Sequence, residues 1–126
     1  YDVVNDVTCK VVAAVRPGVT TSELSAVCDV EFEKAGMGHF WGAGDCSTQF
    51  SNRAHRIGHG IGMATTEPPH VALYDHTVLA PGMTITIEPS IANHLGHFNI
   101  EENVVVTEDG CEILSTASRE LFRVDI

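Results

Sequence analysis

The sequence is poor in several things, and each shortage excludes something. Lys and Arg together number 7 against 17 Asp and Glu, which gives a formal charge of −10, and the few cations form no stripe. Nucleic acid and anionic membrane are therefore excluded as main partners, because both are recognised by clustered positive charge. Proline (5) and glycine (11) are too scarce for a collagen-like or disordered chain. No apolar run approaches the roughly 18–20 residues that a membrane span needs. The cysteines, Cys9, Cys28, Cys46 and Cys111, are far apart and form no C-x-x-C pair. Zinc-ribbon and thioredoxin readings fall away, and scattered thiols fit a reducing, cytoplasmic setting. The text is helical from Tyr1, with no initiator Met and no leader pattern, so the chain reads as a piece of a longer protein.

What is present suits one globular domain: 126 residues, 44% of them hydrophobic. Val3, Val7 and Val11 recur every four residues, with Val4, Val12 and Val15 beside them, and predict a helix over 2–16 that Pro17-Gly18 stops. Thr20 with Glu23 three places on is a capping box for a second helix. Its apolar stripe is Leu24, Val27, Cys28 and Phe32, and Gly36 follows as a C-terminal cap. Residues 36–54 mix glycine, aromatic and small polar residues and read as a long loop. From Arg56 the text turns to short strands: Met83–Glu88, then 98–107, then Cys111–Ser115 after the turn Glu108-Asp109-Gly110. Helices first and strands after predict an α+β unit, with two helices on one face of a mainly antiparallel sheet.

Strand parity sorts the glutamates. Met83, Ile85 and Ile87 share one face, and Thr84, Thr86 and Glu88 share the other, where a cleft belongs. In the next strand Phe98, Ile100, Val104 and Val106 share parity with Glu102, whereas Asn99, Asn103 and Thr107 share parity with Glu101. Glu101 is thus the cleft carboxylate and Glu102 falls on the apolar face. Between the two glutamate strands, His94 and His97 read as loop residues. His39 reads as part of a Gly-aromatic loop cluster with Phe40 and Trp41, and His70 and His76 as loop residues near Tyr74 and Asp75.

The segment His55-Arg56-Ile57-Gly58-His59-Gly60-Ile61-Gly62 has the form H-x-x-G-H-x-x-G. Glycine on both sides of a histidine lets another backbone or a substrate approach closely. One imidazole with several carboxylates suits divalent ions such as Mn, Fe, Co or Zn.

In order along the chain, Gly58-His59-Gly60-Ile61-Gly62, Glu67-Pro68-Pro69, Pro81–Pro89 and Glu101–Gly110 resemble the signature of the pita-bread metallopeptidases. That family includes methionine aminopeptidase, aminopeptidase P, prolidase and the metal-free relative creatinase. The text Arg16-Pro17-Gly18-Val19-Thr20 after the first helix fits it too. The resemblance implies a pita-bread fold, with residues 1–126 as the C-terminal part of the catalytic domain. It implies two divalent metal ions (Mn, Co, Fe or Zn) held by two Asp, one His and two Glu. By motif position His59, Glu88 and Glu101 are the metal ligands, Glu67 the general acid/base, and His55 a substrate-contacting histidine. The Asp pair has no counterpart here. The family's His-Glu-x-Pro appears as Thr66-Glu67-Pro68-Pro69, and Thr66 can donate a hydrogen bond to substrate but cannot carry charge.

The implied activity is a hydrolase of Xaa-Pro aminopeptidase or prolidase type, acting on a peptide or small-molecule substrate, cytoplasmic, and a homodimer at full length. Thr66 keeps a second reading alongside it: a divergent pita-bread enzyme acting on a non-peptide substrate, such as a dimethylsulfoniopropionate lyase or an amide hydrolase. A metal-free binding module is the third.

Overall fold

The computed structural model describes residues 1–37 and 56–124. The predicted loop over 36–54 therefore lies almost wholly outside the described residues, as do His39, Cys46 and His55.

Two helices open the chain. Helix α1 (Asp2–Ala14) buries Val4, Val7, Val11 and Val12 along one side, as the four-residue recurrence predicts. It stops two residues earlier than expected, with Val15 already extended and Gly18 at a φ of 86°. Helix α2 (Thr21–Lys34) begins at the expected capping box. Thr20 accepts from the Glu23 N–H, and the Glu23 carboxylate accepts from the Thr20 N–H at 2.7 Å. Its far end is a Schellman turn: Gly36, at a φ of 70°, donates to the Glu33 carbonyl, and Met37 donates to the Phe32 carbonyl.

The strands are β1 (His59–Gly60), β2 (Glu67–His70), β3 (Thr84–Ile87), β4 (Ser90–Asn93), β5 (Gly96–Asn99), β6 (Glu102–Val106) and β7 (Cys111–Ile113). One sheet has the order β2-β1-β3-β6-β7, and β4 and β5 form a separate hairpin. All named pairs are antiparallel. Strand β2 carries Pro68 and Pro69 and sits at an edge, where a missing N–H costs no ladder bond.

Helix α1 packs on α2 and on the central strands β3 and β6. The shared core includes Val4, Val11, Leu24, Phe32, Ile85, Ile87, Val104 and Val106, each 1% exposed or less. Full burial of one such side chain is worth about 1.5–3 kcal/mol, so the core fixes which pleat of β3 and β6 faces the helices.

Three expectations need correction. His70 is not in a loop: it ends β2, paired with His59. The predicted strand over 98–107 is two pieces, β5 and β6, separated at Ile100-Glu101. His94 and His97 do not lie in an open loop: His97 is in β5, paired with Ala92, and His94 is in the turn of the hairpin.

Candidate metal centre

Glycine sets the approach of the histidine strand to β3. A Cβ on Gly58 would fall 2.0 Å from the Thr86 carbonyl oxygen, and one on Gly60 would fall 2.5 Å from the Pro68 carbonyl oxygen. Both contacts are with backbone, so neither yields to a side-chain rotation. The strand therefore lies flush on its neighbours, and hydrogen bonds fasten it there. The His59 N–H donates to Thr86 Oγ1 at 3.0 Å, and the Glu88 N–H donates to the Ile57 carbonyl at 2.6 Å.

His59 is 6% exposed. Its Nδ1 is 3.0 Å from the Gly60 carbonyl oxygen. A carbonyl only accepts, so Nδ1 carries a proton, and in the neutral ring Nε2 is left with a free lone pair. That Nε2 lies 3.4 Å from Glu88 Oε1. Glu88 follows directly on β3, half-buried, and Glu101 is exposed just before β6. One ligand atom from each of His59, Glu88 and Glu101 lies within 4.8 Å of the others. Burial, reinforced by the Glu101 charge, raises the Glu88 carboxyl above its ordinary value against the opposing pull of His59 and Arg56. Two converging carboxylates with one imidazole form a donor set that fits a divalent cation, which removes the repulsion between them.

Parity accounts for the arrangement. Glu102 is 3% exposed, in line with Val104 and Val106 on the helix side, and Glu101 is on the other side. The opposite face of β3 is less open than parity alone suggests: Thr86 is fully buried under the Gly58-His59 segment, so the cleft begins at Glu88.

Next to Glu101 is a cavity of about 540 Å³, lined also by Ile61, Gly62, Met63, Ala64, Thr65, Thr84 and Asn103. Sequence reasoning placed Thr84 and Asn103 on the cleft faces without naming them as site residues. It did not find the wall at 61–65, which follows from a local bond. Glu67 Oε2 accepts from the Ala64 N–H at 2.9 Å, and a Cβ on Gly62 would fall 2.6 Å from Glu67 Oε1. The Glu67 carboxylate thus sits beneath the loop and is not part of the group formed by His59, Glu88 and Glu101. Thr66 is exposed, directly before β2, and does not line the cavity. His55 lies outside the described residues.

Residues 1–108 match the Metallopeptidase family M24. The Xaa-Pro dipeptidase of Pyrococcus furiosus is 35% identical over 97% of this chain and 32% of its own length. Among solved structures, the prolidase of Pyrococcus horikoshii OT3 superposes with a TM-score of 0.82 at 33% identity, over 97% of this chain and 32% of that one. The X-Pro aminopeptidase of Thermotoga maritima MSB8 gives 0.83 at 31% identity, over 98% and 32%. The chain therefore spans about a third of the length of these relatives.

Proposed function

Because this chain belongs to metallopeptidase family M24, we propose that it is the C-terminal part of the catalytic domain of a metal-dependent hydrolase that cleaves N-terminal peptide or dipeptide bonds of Xaa-Pro type. The observation that carries this reading is the convergence of a His59 ring nitrogen with carboxylate oxygens of Glu88 and Glu101. With the Asp pair that the family resemblance implies, these residues would hold two divalent cations, Mn, Co, Fe or Zn. Such ions polarise a scissile carbonyl and supply water as the nucleophile.

The chain's own residues do the rest. Glu88 and Glu101 bring the negative charge, and the Gly60 carbonyl orients His59 so that Nε2 faces them. His55 and Thr66 contact substrate by motif position. The cavity beside Glu101 receives the substrate side chain, with Thr65, Thr84 and Asn103 as its polar groups. For Glu67 the geometry favours setting this wall over the proton transfer that its motif implies. Glu67→Gln keeps an acceptor for the Ala64 N–H and leaves kcat within about threefold in the first case. In the second, kcat falls about 100-fold or more, the range for loss of a general acid/base.

A second reading, an enzyme of this fold acting on a non-peptide substrate, is favoured by Thr66, which cannot carry the charge of a histidine. Free Cys9, Cys28 and Cys111 support a reducing, cytoplasmic setting. No helix among the described residues is long and apolar enough to cross a membrane. A homodimer at full length completes the proposal.

The test is metal analysis of the full-length protein, followed by Xaa-Pro dipeptide hydrolysis. Bound divalent metal with dipeptide turnover supports the peptidase. Bound metal with turnover of non-peptide amides or elimination substrates alone supports the second reading. Absence of metal binding overturns both.

A further inference from the structure

Glu101 and Glu102 are adjacent and chemically alike, Glu101 just before β6 and exposed, Glu102 its first residue and buried on the helix side. A one-residue slip of a strand exchanges its faces, so something must decide which glutamate reaches the cleft. Val104 and Val106 fix the pleat of β6, but Ile100 and Glu101 lie between β5 and β6, outside both ladders. Glu102 is the end residue of the β6 ladder, opposite Ile87, so loss of that one terminal pair would let the joint turn and bring Glu102 to the cleft in place of Glu101.

A bare carboxylate against the helices is costly unless paired. Glu102 is 3% exposed, and its Oε1 lies 3.0 Å from Arg119 Nε. Its Oε2 is buried with no hydrogen-bond partner among the described residues, where the attachment rests on the Arg119 contact. Arg119 is itself anchored to the first helix. Its Nη1 donates to Cys9 Sγ at 2.9 Å, and its carbonyl accepts from the Tyr1 hydroxyl at 2.5 Å. The segment after β7 thereby carries a fixed cation to the helix side of β6.

We propose that Arg119 is a positioning residue that selects the cleft glutamate: by holding Glu102 on the helix face, it keeps Glu101 on the metal face. The inference rests on the reading of Glu101 as a metal ligand.

The experiment uses the full-length protein, with Mn²⁺ as the probe, titrated against a chelator. Arg119→Met should weaken Mn²⁺ binding about 10–100-fold, the usual effect of losing a group that orients a ligand. Arg119→Lys should recover most of it. Adding Glu102→Leu to Arg119→Met should also recover it, because leucine belongs on that face and cannot compete for the cleft. A purely structural role predicts the same rescue, since Glu102→Leu also removes the unpaired buried charge, so the labelling measurement below separates the two. Unchanged affinity in Arg119→Met, or equal loss in the double variant, overturns the proposal. Should Arg119→Met fail to fold, Arg119→Gln carries the same expectation, since it keeps a donor and loses the charge.

A second readout needs no metal. In the metal-free protein, Glu101→Cys is labelled with iodoacetamide and followed by mass spectrometry on the peptide that carries it. Labelling should slow when Arg119→Met is added, as position 101 turns inward, and equal rates overturn the proposal. A protein that binds no Mn²⁺ defeats the functional reading and still leaves this second measurement decisive.

Discussion

Glu88 and Asp75 are both part-buried carboxylates, and their surroundings are opposite. Around Asp75, donors close in from every side. The backbone N–H groups of His70 and Thr77 lie at 2.7 and 2.9 Å, and the hydroxyls of Thr77 and Thr21 at 2.7 and 3.3 Å. Burial alone would raise this carboxyl, but the donors outweigh it and hold it at about 2. At Glu88 burial again raises the carboxyl, and the facing Glu101 pushes the same way. The contrast separates a structural acid from the acid proposed to bind a cation. Asp75 has its compensation built in and ties the 70–77 loop to the start of α2. Glu88 faces another carboxylate and a lone pair, an arrangement completed by a cation.

The sharpest way to break this comparison is to remove donors from the cleft. His59→Ala or Glu101→Gln in the full-length protein should lower divalent-metal affinity by at least about 100-fold, beyond the usual cost of losing a group that merely orients a ligand. Metal analysis after gel filtration reads the result, and retained stoichiometric metal would sink the assignment. Asp75→Asn should leave metal content unchanged and cost about 1.5–3 kcal/mol of stability, the range for hydrogen bonds to a charged group. Chemical denaturation checks it, and loss of metal in this variant would erase the distinction.

The smallest effect is in the pH dependence of the metal-free protein. Glu88 has a raised folded value, so the native state holds its proton more tightly than the unfolded chain does. Its contribution is therefore fully present below about 4.5 and lost as the pH rises through the folded value. Asp75 behaves inversely: its contribution is present above 3.8 and lost as the pH falls toward about 2. Glu88→Gln should abolish the first dependence and leave the second. Denaturation midpoints measured from acid to neutral pH separate the two.

Much of this was legible in the residues. The box of Thr20 and Glu23 marks the start of α2, because a side-chain cap is a local event written within four positions. Period-two alternation separates Glu101 from Glu102, because Val104 and Val106 leave a single pleat that buries them both. The β4–β5 hairpin was not legible. Asn93 pairs with Gly96, so the two turn residues are His94 and Leu95, and neither is the glycine or asparagine that signals a tight hairpin. The placement of Glu67 was also hidden, since its motif position says nothing about the Ala64 N–H that its carboxylate caps.

The proposed ligands at 59, 88 and 101 belong to three separate stretches of chain that become neighbours only once the sheet has formed. An ion held by all three has almost no counterpart in the unfolded chain, so by mass action each increment of free ion favours the folded form. At 100 times the dissociation constant the gain is about 2.7 kcal/mol. Metal supply and protein lifetime are then coupled: scarcity of the ion removes part of the stability along with the chemistry, and a melting curve recorded against metal concentration measures site occupancy before any substrate is known.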